Sequence, residues 1–472
     1  MKRAADVETS PSVVAAHFNM PYIWAISGAA ALGGLLFGYD WVVIGGAKPF
    51  YEAYFHLQNP AREGWAMSCA LVGCFIGALV SGMLSQKFGR KKSLMIAAFV
   101  FTISSLGIAT ADVFTAFVLW RISGGLAIGL ASGLSPVYIA EAAPAAIRGM
   151  LVSLNELTIV LGVLMAQVMN WLIAKPVGAD ATPATILNSW NGQIGWRWMF
   201  GVTAIPSVIF FLAMFLVPES PRWLASRTPE KARRVLTRIG GESYASSVLA
   251  EIESTLDNVE LEHSMIALFK SKFAKVLALG IALAVLQQFC GINVIFNYAQ
   301  EIFAAAGYTV STMLFNIVVT GCVMVVFTFV AIFTVDRLGR RTLMLAGCAG
   351  LCLIYIVLGY FYRHGSHGVH MLLLVISALA CYAMTLAPIT WVILSEIFPN
   401  RIRGAAMAVA TMSLWAACFI LTYTFPLLNH ALGTGNTIWI YAAVCVAGFL
   451  LVAKWLPETK GKTLEAIESQ AK

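Results

Sequence analysis

The amino-acid sequence predicts an all-α membrane protein with twelve transmembrane helices in two six-helix, pseudo-symmetric halves. Three observations lead to this prediction. Of the 472 residues, 59 % are hydrophobic and only 11 % are charged, whereas an average soluble domain is about 25 % charged. Apolar segments of about 20 residues, the length that crosses a bilayer, recur twelve times. Charged motifs of the first half of the chain also return in the second half.

The composition excludes several classes of protein. A water-soluble fold of this length could not hide so much apolar surface, so a soluble enzyme, a disordered chain and a disulfide-rich secreted domain are all ruled out. The nine cysteines fall inside the apolar segments, which favours small buried hydrophobic residues over a disulfide framework. No nucleophile–base pair or metal cluster falls within the spans. We therefore expect no enzyme, no cofactor and no metal.

The twelve predicted spans define the organisation of the chain. They cover residues 22–46, 64–85, 93–111, 113–137, 149–173 and 196–217, and then 274–299, 312–335, 342–361, 371–396, 404–428 and 436–456. The predicted parts are a cytoplasmic segment (1–21), an N-terminal six-helix half (22–217), a cytoplasmic helical linker (218–273), a C-terminal six-helix half (274–456) and a cytoplasmic tail (457–472). In the linker, Thr228-Pro229 is typical of a helix start and Gly240-Gly241 of a helix end.

The basic residues predict the orientation in the membrane. With residues at the span ends counted in the adjoining segments, five of the 31 Lys and Arg residues lie in predicted outer segments and one, Arg121, lies deep within a span. The remaining 25 lie in segments that are cytoplasmic if the N-terminus is inside. Positive charge concentrates on the cytoplasmic side of membrane proteins. We therefore expect a multi-pass protein of the cell (plasma) membrane with both termini in the cytoplasm. A nucleic-acid partner is not expected, because the net charge of +8 is dispersed among short loops.

The loop motifs of the two halves repeat. Gly89-Arg90 after span 2 returns as Gly339-Arg340 after span 8, and Glu141 and Pro218-Glu219 return as Glu396 and Pro457-Glu458. A parallel duplication of this kind predicts a site at the interface of the halves. The paired charges suggest a cytoplasmic latch within each half that opens and closes during a cycle, although positive-inside topology alone also explains them. The predicted latch residues are Arg90, Glu141, Arg148, Glu219, Asp336, Arg340, Glu396, Arg403 and Glu458.

Only three charged residues lie deep within the spans, away from their ends, namely Asp40, Arg121 and Glu156. A charge left unpaired in lipid costs roughly 2.5–3.5 kcal/mol on insertion scales. Asp40 and Arg121 lie at matching depths, so we expect a salt bridge between them. It serves either as a static pair that holds spans 1 and 4 or as a proton switch. Glu156 lies at another depth and is either a second titrating group or a carboxylate that binds hydroxyl groups.

Span 7 carries a cluster of amide side chains. Gln287, Gln288 and Asn293 offer donors and acceptors of the kind that bind sugar hydroxyls. In a straight helix Gln288 and Asn293 point about 140° apart, and they would converge if the helix loosened at Gly291. Tyr298 follows on the face of Gln287. The alternative is that these amides only join neighbouring helices.

Taken together, the motifs resemble those of the sugar porters of the major facilitator superfamily along nearly the whole chain. They are Gly38-Tyr39-Asp40, Lys87-Phe88-Gly89-Arg90-Lys91, Arg121-Ile122-Ser123-Gly124-Gly125, Pro218-Glu219-Ser220-Pro221-Arg222-Trp223-Leu224, Gln287-Gln288-Phe289-Cys290-Gly291-Ile292-Asn293, Asp336-Arg337-Leu338-Gly339-Arg340-Arg341 and Pro457-Glu458-Thr459-Lys460-Gly461. The resemblance implies the major facilitator fold.

The resemblance also implies roles for single residues. Proton-coupled members of the family carry an acid at the position of Asp40, paired to the Arg of span 4. Phe37 and Trp391 are implied to lie against the sugar ring, and Trp415 is implied in the same way, although core packing also explains a deep tryptophan. Relatives have a sugar-binding Gln where this chain has Glu156. Other family positions differ as well, namely Val163, Asn297, Met324, Leu414 and Cys418.

The expected function is the import of a monosaccharide, a D-xylose-like pentose or a hexose, by proton symport through alternating access. The predicted proton-coupling residues are Asp40, Arg121 and Glu156, and the predicted substrate-binding residues are Phe37, Glu156, Gln287, Gln288, Asn293, Tyr298, Trp391 and Trp415. An uncoupled sugar or polyol facilitator and a non-transporting sugar sensor are the alternatives. The expected partners are a monosaccharide, a proton and the lipid bilayer, and the expected state is a monomer.

Overall fold

The structure is a computed structural model that describes residues 18–178, 182–256, 273–398 and 403–458. Within these ranges the chain forms α-helices, one 3₁₀ turn (Ala145–Ile147) and one π-helical turn (Asn191–Gly195), and no strand. Twelve helical segments of the described part are long and apolar enough to cross a membrane. The predicted all-α class and the predicted number of spans are therefore confirmed.

Each half contains six of these segments. The helices of the N-terminal half are α1 (Met20–Tyr54), α2 (Pro60–Phe88), α3 (Arg90–Ala109), α4 (Phe114–Ala142), α5 (Arg148–Ile173), α6 (Pro183–Asn188), α7 (Trp196–Gly201) and α8 (Ala204–Leu216). Two helices follow, α9 (Pro221–Ala225) and α10 (Pro229–Leu256). The C-terminal half contains α11 (Ala274–Phe289), α12 (Ile292–Asn297), α13 (Ala299–Ala305), α14 (Val310–Leu338), α15 (Arg340–Arg363), α16 (Val369–Met384), α17 (Leu386–Ile397), α18 (Arg403–Leu432) and α19 (Thr434–Trp455).

The same glycine turn occurs in both halves. A single residue, Gly89 with φ +90°, separates α2 from α3, and Gly339 with φ +87° separates α14 from α15. This left-handed region is open to glycine at little steric cost, so each pair of helices reverses within one residue. We call the end of the bundle that carries these two turns the motif end, and the opposite end the far end. The equal geometry confirms the duplication that the loop motifs predict.

Small residues allow close helix packing in the N-terminal half. A Cβ atom on Gly73 or Gly77 of α2 would lie 2.0 or 2.2 Å from a backbone carbonyl of α4, and one on Gly125 would lie 1.9 Å from the carbonyl of Ala70. Backbones approach this closely only where side chains are absent, which is the usual basis of helix association in lipid. Helices α2 and α4 therefore form a closely packed pair.

The first helix is longer than predicted. The predicted span ended at residue 46, whereas α1 continues to Tyr54 and contains Lys48 and Glu52. Lys48 is only 2 % exposed. The predicted end of this span at residue 46 therefore lies short of the end of the helix, because a lysine with carboxylate neighbours can be buried without ending a helix.

The segment between the halves is helical as far as it is described. Helix α10 is interrupted at Gly241, whose φ is +84°, where the sequence predicted a helix end at Gly240-Gly241. The backbone N–H of Asn19 donates to the carbonyl of Ile239 at 2.9 Å, and Phe18 and Tyr244 meet edge to face at 5.4 Å. Helix α10 is thus attached to the start of α1, at the motif end.

Candidate functional site

A buried ion pair lies in the N-terminal half. Arg121 of α4 donates from Nη1 to Oδ1 of Asp40 on α1 at 2.7 Å. Asp40 is 6 % exposed and Arg121 is 3 % exposed. The guanidinium of Arg121 lies over the ring of Phe200, with its Cζ atom 5.4 Å from the ring centroid. The predicted salt bridge is confirmed, whereas its role in proton coupling stays a prediction.

A small cavity adjoins this ion pair. Its volume is about 20 Å³, enough for one water molecule, and it is lined by Asp40 and Arg121 together with Phe37, Trp41 and Asn297 among others. Asn297 belongs to the C-terminal half, and its buried Oδ1 has no hydrogen-bond partner among the described residues. The cavity therefore connects the ion pair to the opposite half of the protein.

Aromatic rings from both halves meet at the same place. Phe37 lies 5.5 Å from Trp41 and 5.6 Å from Trp415, and the two tryptophan rings are 5.9 Å apart. The buried indole Nε1 of Trp415 has no acceptor in the described part of the chain. Trp391, the other tryptophan predicted to bind sugar, lies on α17 and is half-buried. Sequence reasoning missed Trp41, although its position one helical turn after Phe37 was a usable signal.

The amides of span 7 converge at a break in the helix. Helix α11 ends at Phe289, Gly291 takes a left-handed conformation with φ +86°, and α12 begins at Ile292. Nδ2 of Asn293 donates to Oε1 of Gln288, and Nε2 of Gln288 donates to Oε1 of Gln287 at 3.3 Å. The predicted loosening at Gly291 is confirmed, and it aligns three amides in one chain of hydrogen bonds.

The amide chain is anchored on neighbouring helices. Nε2 of Gln287 donates to the carbonyl of Ala387 on α17 at 3.2 Å, and the amide nitrogen of Asn293 lies 3.9 Å from the thiol of Cys418 on α18. All three amides are nearly buried. They form a preorganised polar surface within an apolar bundle, the arrangement that ligand sites use.

Tyr298 lies apart from these amides. It is fully buried, its hydroxyl donates to the carbonyl of Thr422 at 2.6 Å, and its ring packs on Phe425 with centroids 4.6 Å apart. In this state its hydroxyl is bonded to the backbone of α18. The structure therefore places Tyr298 in the packing of the C-terminal half, on the far-end side of Asn297.

Glu156 occupies a separate place on α5. Its side chain is half-buried, it does not line the cavity beside Asp40, and it lies close enough to Tyr382 of α16 to interact with it electrostatically. Glu156 therefore faces the C-terminal half across the interface of the two halves, at a depth different from the ion pair, as expected.

A further amide on α5 was not singled out from the sequence. Gln167 is 1 % exposed, and neither atom of its amide group has a partner within the described ranges. It lies one helical turn after Val163, one of the positions at which the sequence departs from the family pattern, so the i, i+4 spacing was the signal. A Cβ atom on Gly321 of α14 would lie 1.9 Å from Oε1 of Gln167, which shows that this amide contacts the other half.

The predicted latch of the N-terminal half forms a hydrogen-bonded network at the motif end. Nη2 of Arg90 lies 2.8 Å from Oε1 of Glu141, and Oε2 of Glu141 accepts from the hydroxyl of Ser220. Oε1 of Glu219 accepts from the backbone N–H of Lys91 at 2.9 Å. The network ties α3, α4 and the start of α9 together.

The C-terminal half repeats this network with the corresponding residues. Nη2 of Arg340 lies 3.2 Å from Oε1 of Glu396. The two carboxylate oxygens of Glu458 accept from the backbone N–H groups of Arg340 and Arg341 at 3.0 and 3.1 Å. The ion pair of Arg340 and Glu396, like that of Arg90 and Glu141, lies within one half.

One predicted latch residue of the described side chains, Arg148, lies away from these contacts. Arg148 is exposed and lies near Tyr244 of α10, with which it interacts electrostatically. It is separated from the pair of Arg90 and Glu141 because the chain turns at Pro144 before α5 begins. The side chains of Asp336 and Arg403 lie outside the described residues.

Comparisons with known proteins agree with this architecture. The model of the family described as "Sugar (and other) transporter" matches residues 27–471. The D-xylose-proton symporter of Escherichia coli strain K12 is 38 % identical over 96 % of each chain, and the arabinose-proton symporter of Bacillus subtilis strain 168 is 39 % identical over 98 % of each chain. The xylose transporter of E. coli in its inward-open conformation superposes with a TM-score of 0.82 at 37 % identity, covering 95 % of this chain and all of that one.

These relatives are transporters and not enzymes, which agrees with the expectation from the spans. The family model covers nearly the whole chain, the relatives exceed one-third identity over almost their full length, and the fold is shared with a solved member. The chain therefore belongs to the sugar transporter family, as its loop and span motifs indicated.

Proposed function

We propose that this protein imports a monosaccharide together with a proton by alternating access. The observation that carries the proposal is the buried ion pair of Asp40 and Arg121, which lies beside a cavity shared by both halves. Relatives of nearly equal length are named proton symporters of xylose and arabinose, which supports a pentose or a hexose as the substrate class.

Asp40 is the proposed proton carrier. When Asp40 is ionised, Arg121 neutralises it, and the pair is stable in the low-dielectric interior only while both charges are present. A proton on Asp40 removes the negative charge and frees the guanidinium to bond elsewhere. Asn297, whose carbonyl oxygen lines the same cavity, is an acceptor on the opposite half that the freed Arg121 can approach.

The proposed sugar site lies between the amide chain and the aromatic rings. Gln287, Gln288 and Asn293 supply donors and acceptors for hydroxyl groups, and Phe37, Trp391 and Trp415 supply flat apolar surfaces for the C–H face of the ring. Glu156 and Gln167 offer polar groups from α5 on the other side. Gln167 thus presents an amide one turn after Val163, where the sequence departs from the family pattern.

The proposed orientation places the motif end in the cytoplasm of the cell. Most basic residues lie there, as positive-inside topology requires, and both networks of Arg and Glu then lie at the inner surface. We propose that these networks are the predicted cytoplasmic latch, which opens and closes as the halves rock against each other. The membrane potential would add a driving force of about 2.3 kcal/mol per proton at about 100 mV, equivalent to a sugar gradient of roughly 50-fold.

The test is accumulation of sugar in proteoliposomes under an imposed pH gradient. The protein should accumulate a radiolabelled pentose or hexose against its gradient, and Asp40→Asn should abolish accumulation while leaving sugar counterflow intact. Counterflow without accumulation by the unaltered protein would make it an uncoupled facilitator. Binding without any flux would make it a sensor, and loss of counterflow in Asp40→Asn would reduce the ion pair to a structural role.

A further inference from the structure

A second buried ion cluster lies at the far end of the bundle. The ammonium of Lys48 on α1 lies 2.8 Å from Oε1 of Glu52, one helical turn further along, and it also contacts Oε1 of Glu301 on α13. Its Nζ atom lies 5.6 Å from the ring centroid of Tyr298. The Lys48 side chain is 3 % exposed, and the side chains of Glu52 and Glu301 are 14 % and 23 % exposed. The cluster is therefore nearly dry.

The two carboxylates differ in which half they belong to. Lys48 and Glu52 are both on α1, in the N-terminal half, so their contact is fixed within one helix. Glu301 is on α13, in the C-terminal half. When the halves separate at the far end, Lys48 must leave Glu301 and also the ring of Tyr298, which lies in the C-terminal half as well. Its contact with Glu52 can persist.

The backbone closes the far end at the same level. Gly45 lies one turn before Lys48, and a Cβ atom there would be 2.6 Å from the carbonyl of Phe296 on α12. The two helices are therefore in direct backbone contact, and the cross-half ion pair seals the point where α1 passes α12 and α13. By contrast, the two ion pairs described at the motif end, Arg90 with Glu141 and Arg340 with Glu396, each lie within one half.

The arrangement also explains how the seal can open. A buried cation that loses its only partner is strongly destabilised, and such a seal would stay closed. Glu52 remains bonded to Lys48 when Glu301 moves away, so the lysine keeps one counter-charge in both states. Glu301 is the most exposed member of the cluster, and water can replace its contact.

We infer that Lys48 and Glu301 form a gate that favours closure of the far end, with Glu52 holding the lysine in place as a positioning residue. This inference rests on the proposed transport cycle, in which the far end opens to the outside. Its test measures conformation without sugar and without transport, so it fails or succeeds independently of the substrate and of proton coupling.

The experiment measures the distance between spin labels at the far end, one on Gln58→Cys in the N-terminal half and one on Val369→Cys in the C-terminal half, both exposed positions. Cys322 is replaced by Ala, because it is the exposed native thiol of the described residues. In Glu301→Gln and in Lys48→Gln we expect the ratio of far-end-open to far-end-closed protein to rise about tenfold, a usual size for coupling between sites.

Two further variants keep the inference falsifiable. Glu52→Gln is the matched control, because it removes a carboxylate from the same lysine but leaves the cross-half pair, and it should not increase the open population. The exchanged variant Lys48→Glu with Glu301→Lys retains one ammonium and two carboxylates and should restore closure. An unchanged distance in Glu301→Gln, an equal opening in Glu52→Gln, or no restoration in the exchanged variant would each overturn the gate.

Discussion

Phe37 of the N-terminal half meets Trp415 of the C-terminal half edge to face, with ring centroids 5.6 Å apart. Phe37 also precedes Asp40 by three residues on one face of α1, so the same helical turn carries a ring at the proposed sugar site and the carboxylate of the ion pair. A sugar that separates Phe37 from Trp415 would therefore act directly on the turn that positions Asp40.

This contact makes Phe37 a coupling residue as well as a binding residue. Phe37→Ala should raise the KM for sugar about tenfold, because a ring that contacts the sugar is lost. It should also lower the number of protons moved per sugar, because a bound sugar no longer acts through this ring on the helical turn that positions Asp40. Phe37→Tyr should retain both properties. Parallel uptake of radiolabelled sugar and a pH-sensitive dye measures the ratio. Phe99→Ala, at a ring that is 54 % exposed, is the control, and a raised KM with an unchanged ratio would contradict the coupling role.

The ion pair itself gives a stability prediction. Asp40→Asn leaves the buried guanidinium of Arg121 without a counter-charge, which costs about 3–5 kcal/mol in comparable buried pairs. Removing both charges in Asp40→Asn with Arg121→Gln should recover most of this loss. Thermal unfolding in detergent measures it, and the single variant should melt below the double variant. Equal melting temperatures would mean that water already solvates Arg121 through the cavity.

The break in span 7 is testable at Gly291. Gly291→Ala forces a left-handed residue, at about 1–2 kcal/mol, and places a Cβ atom 2.6 Å from the ring of Tyr441. The turn should shift, the bond between Gln288 and Asn293 should open, and sugar affinity should fall at least about tenfold. Isothermal titration calorimetry measures the affinity.

Gly307→Ala is the matched control for the break. Gly307 also has φ +86°, but a Cβ atom there would meet His367 at 3.1 Å, away from the amides. The Gly307→Ala variant should lose about as much free energy of unfolding as Gly291→Ala and should keep its sugar affinity. An equal fall in affinity for both variants would show that backbone strain, not the amide geometry, is responsible.

Two substitutions of Glu156 test whether its side chain binds sugar hydroxyls or carries a transported proton. If it binds hydroxyls as the relatives' Gln does, Glu156→Gln should preserve sugar affinity within about threefold, and Glu156→Leu should lower it about tenfold, because a polar contact to sugar is lost. The number of protons moved per sugar should be the same in Glu156→Gln as in the unaltered protein. A fall in that number would assign a transported proton to Glu156.

Much of the fold was predictable because its signals are local. Span length and apolar content determine the twelve helices, and the glycine turns at Gly89 and Gly339 repeat within their motifs. Gly291 could be recognised as the break because an amide pair five residues apart needs it to converge. The partnership of Asp40 with Arg121 followed from the cost of an unpaired charge in lipid together with equal depth.

The features that were missed depend on neighbours distant in sequence. In the sequence, Lys48 resembles a loop residue because a lysine ends the apolar run. Its burial depends on Glu52 nearby and also on Glu301, which is more than 250 residues away. Trp41 contacts Trp415, and Gln167 lies against the backbone at Gly321, and both of these neighbours are on the opposite half. Arg148 fits the repeat of the motifs, but the turn at Pro144 directs it towards α10.

Alkylation of the Cys418 thiol can detect whether the proposed sugar site is accessible and unoccupied. This sulfur lies 3.9 Å from the amide of Asn293, at the surface proposed to bind sugar hydroxyls, and burial makes it inert until water reaches the site. Alkylation of this one cysteine therefore requires an open path and an unoccupied site at the same moment. The native chain can thus record by mass spectrometry how a candidate sugar protects it, with no engineered probe.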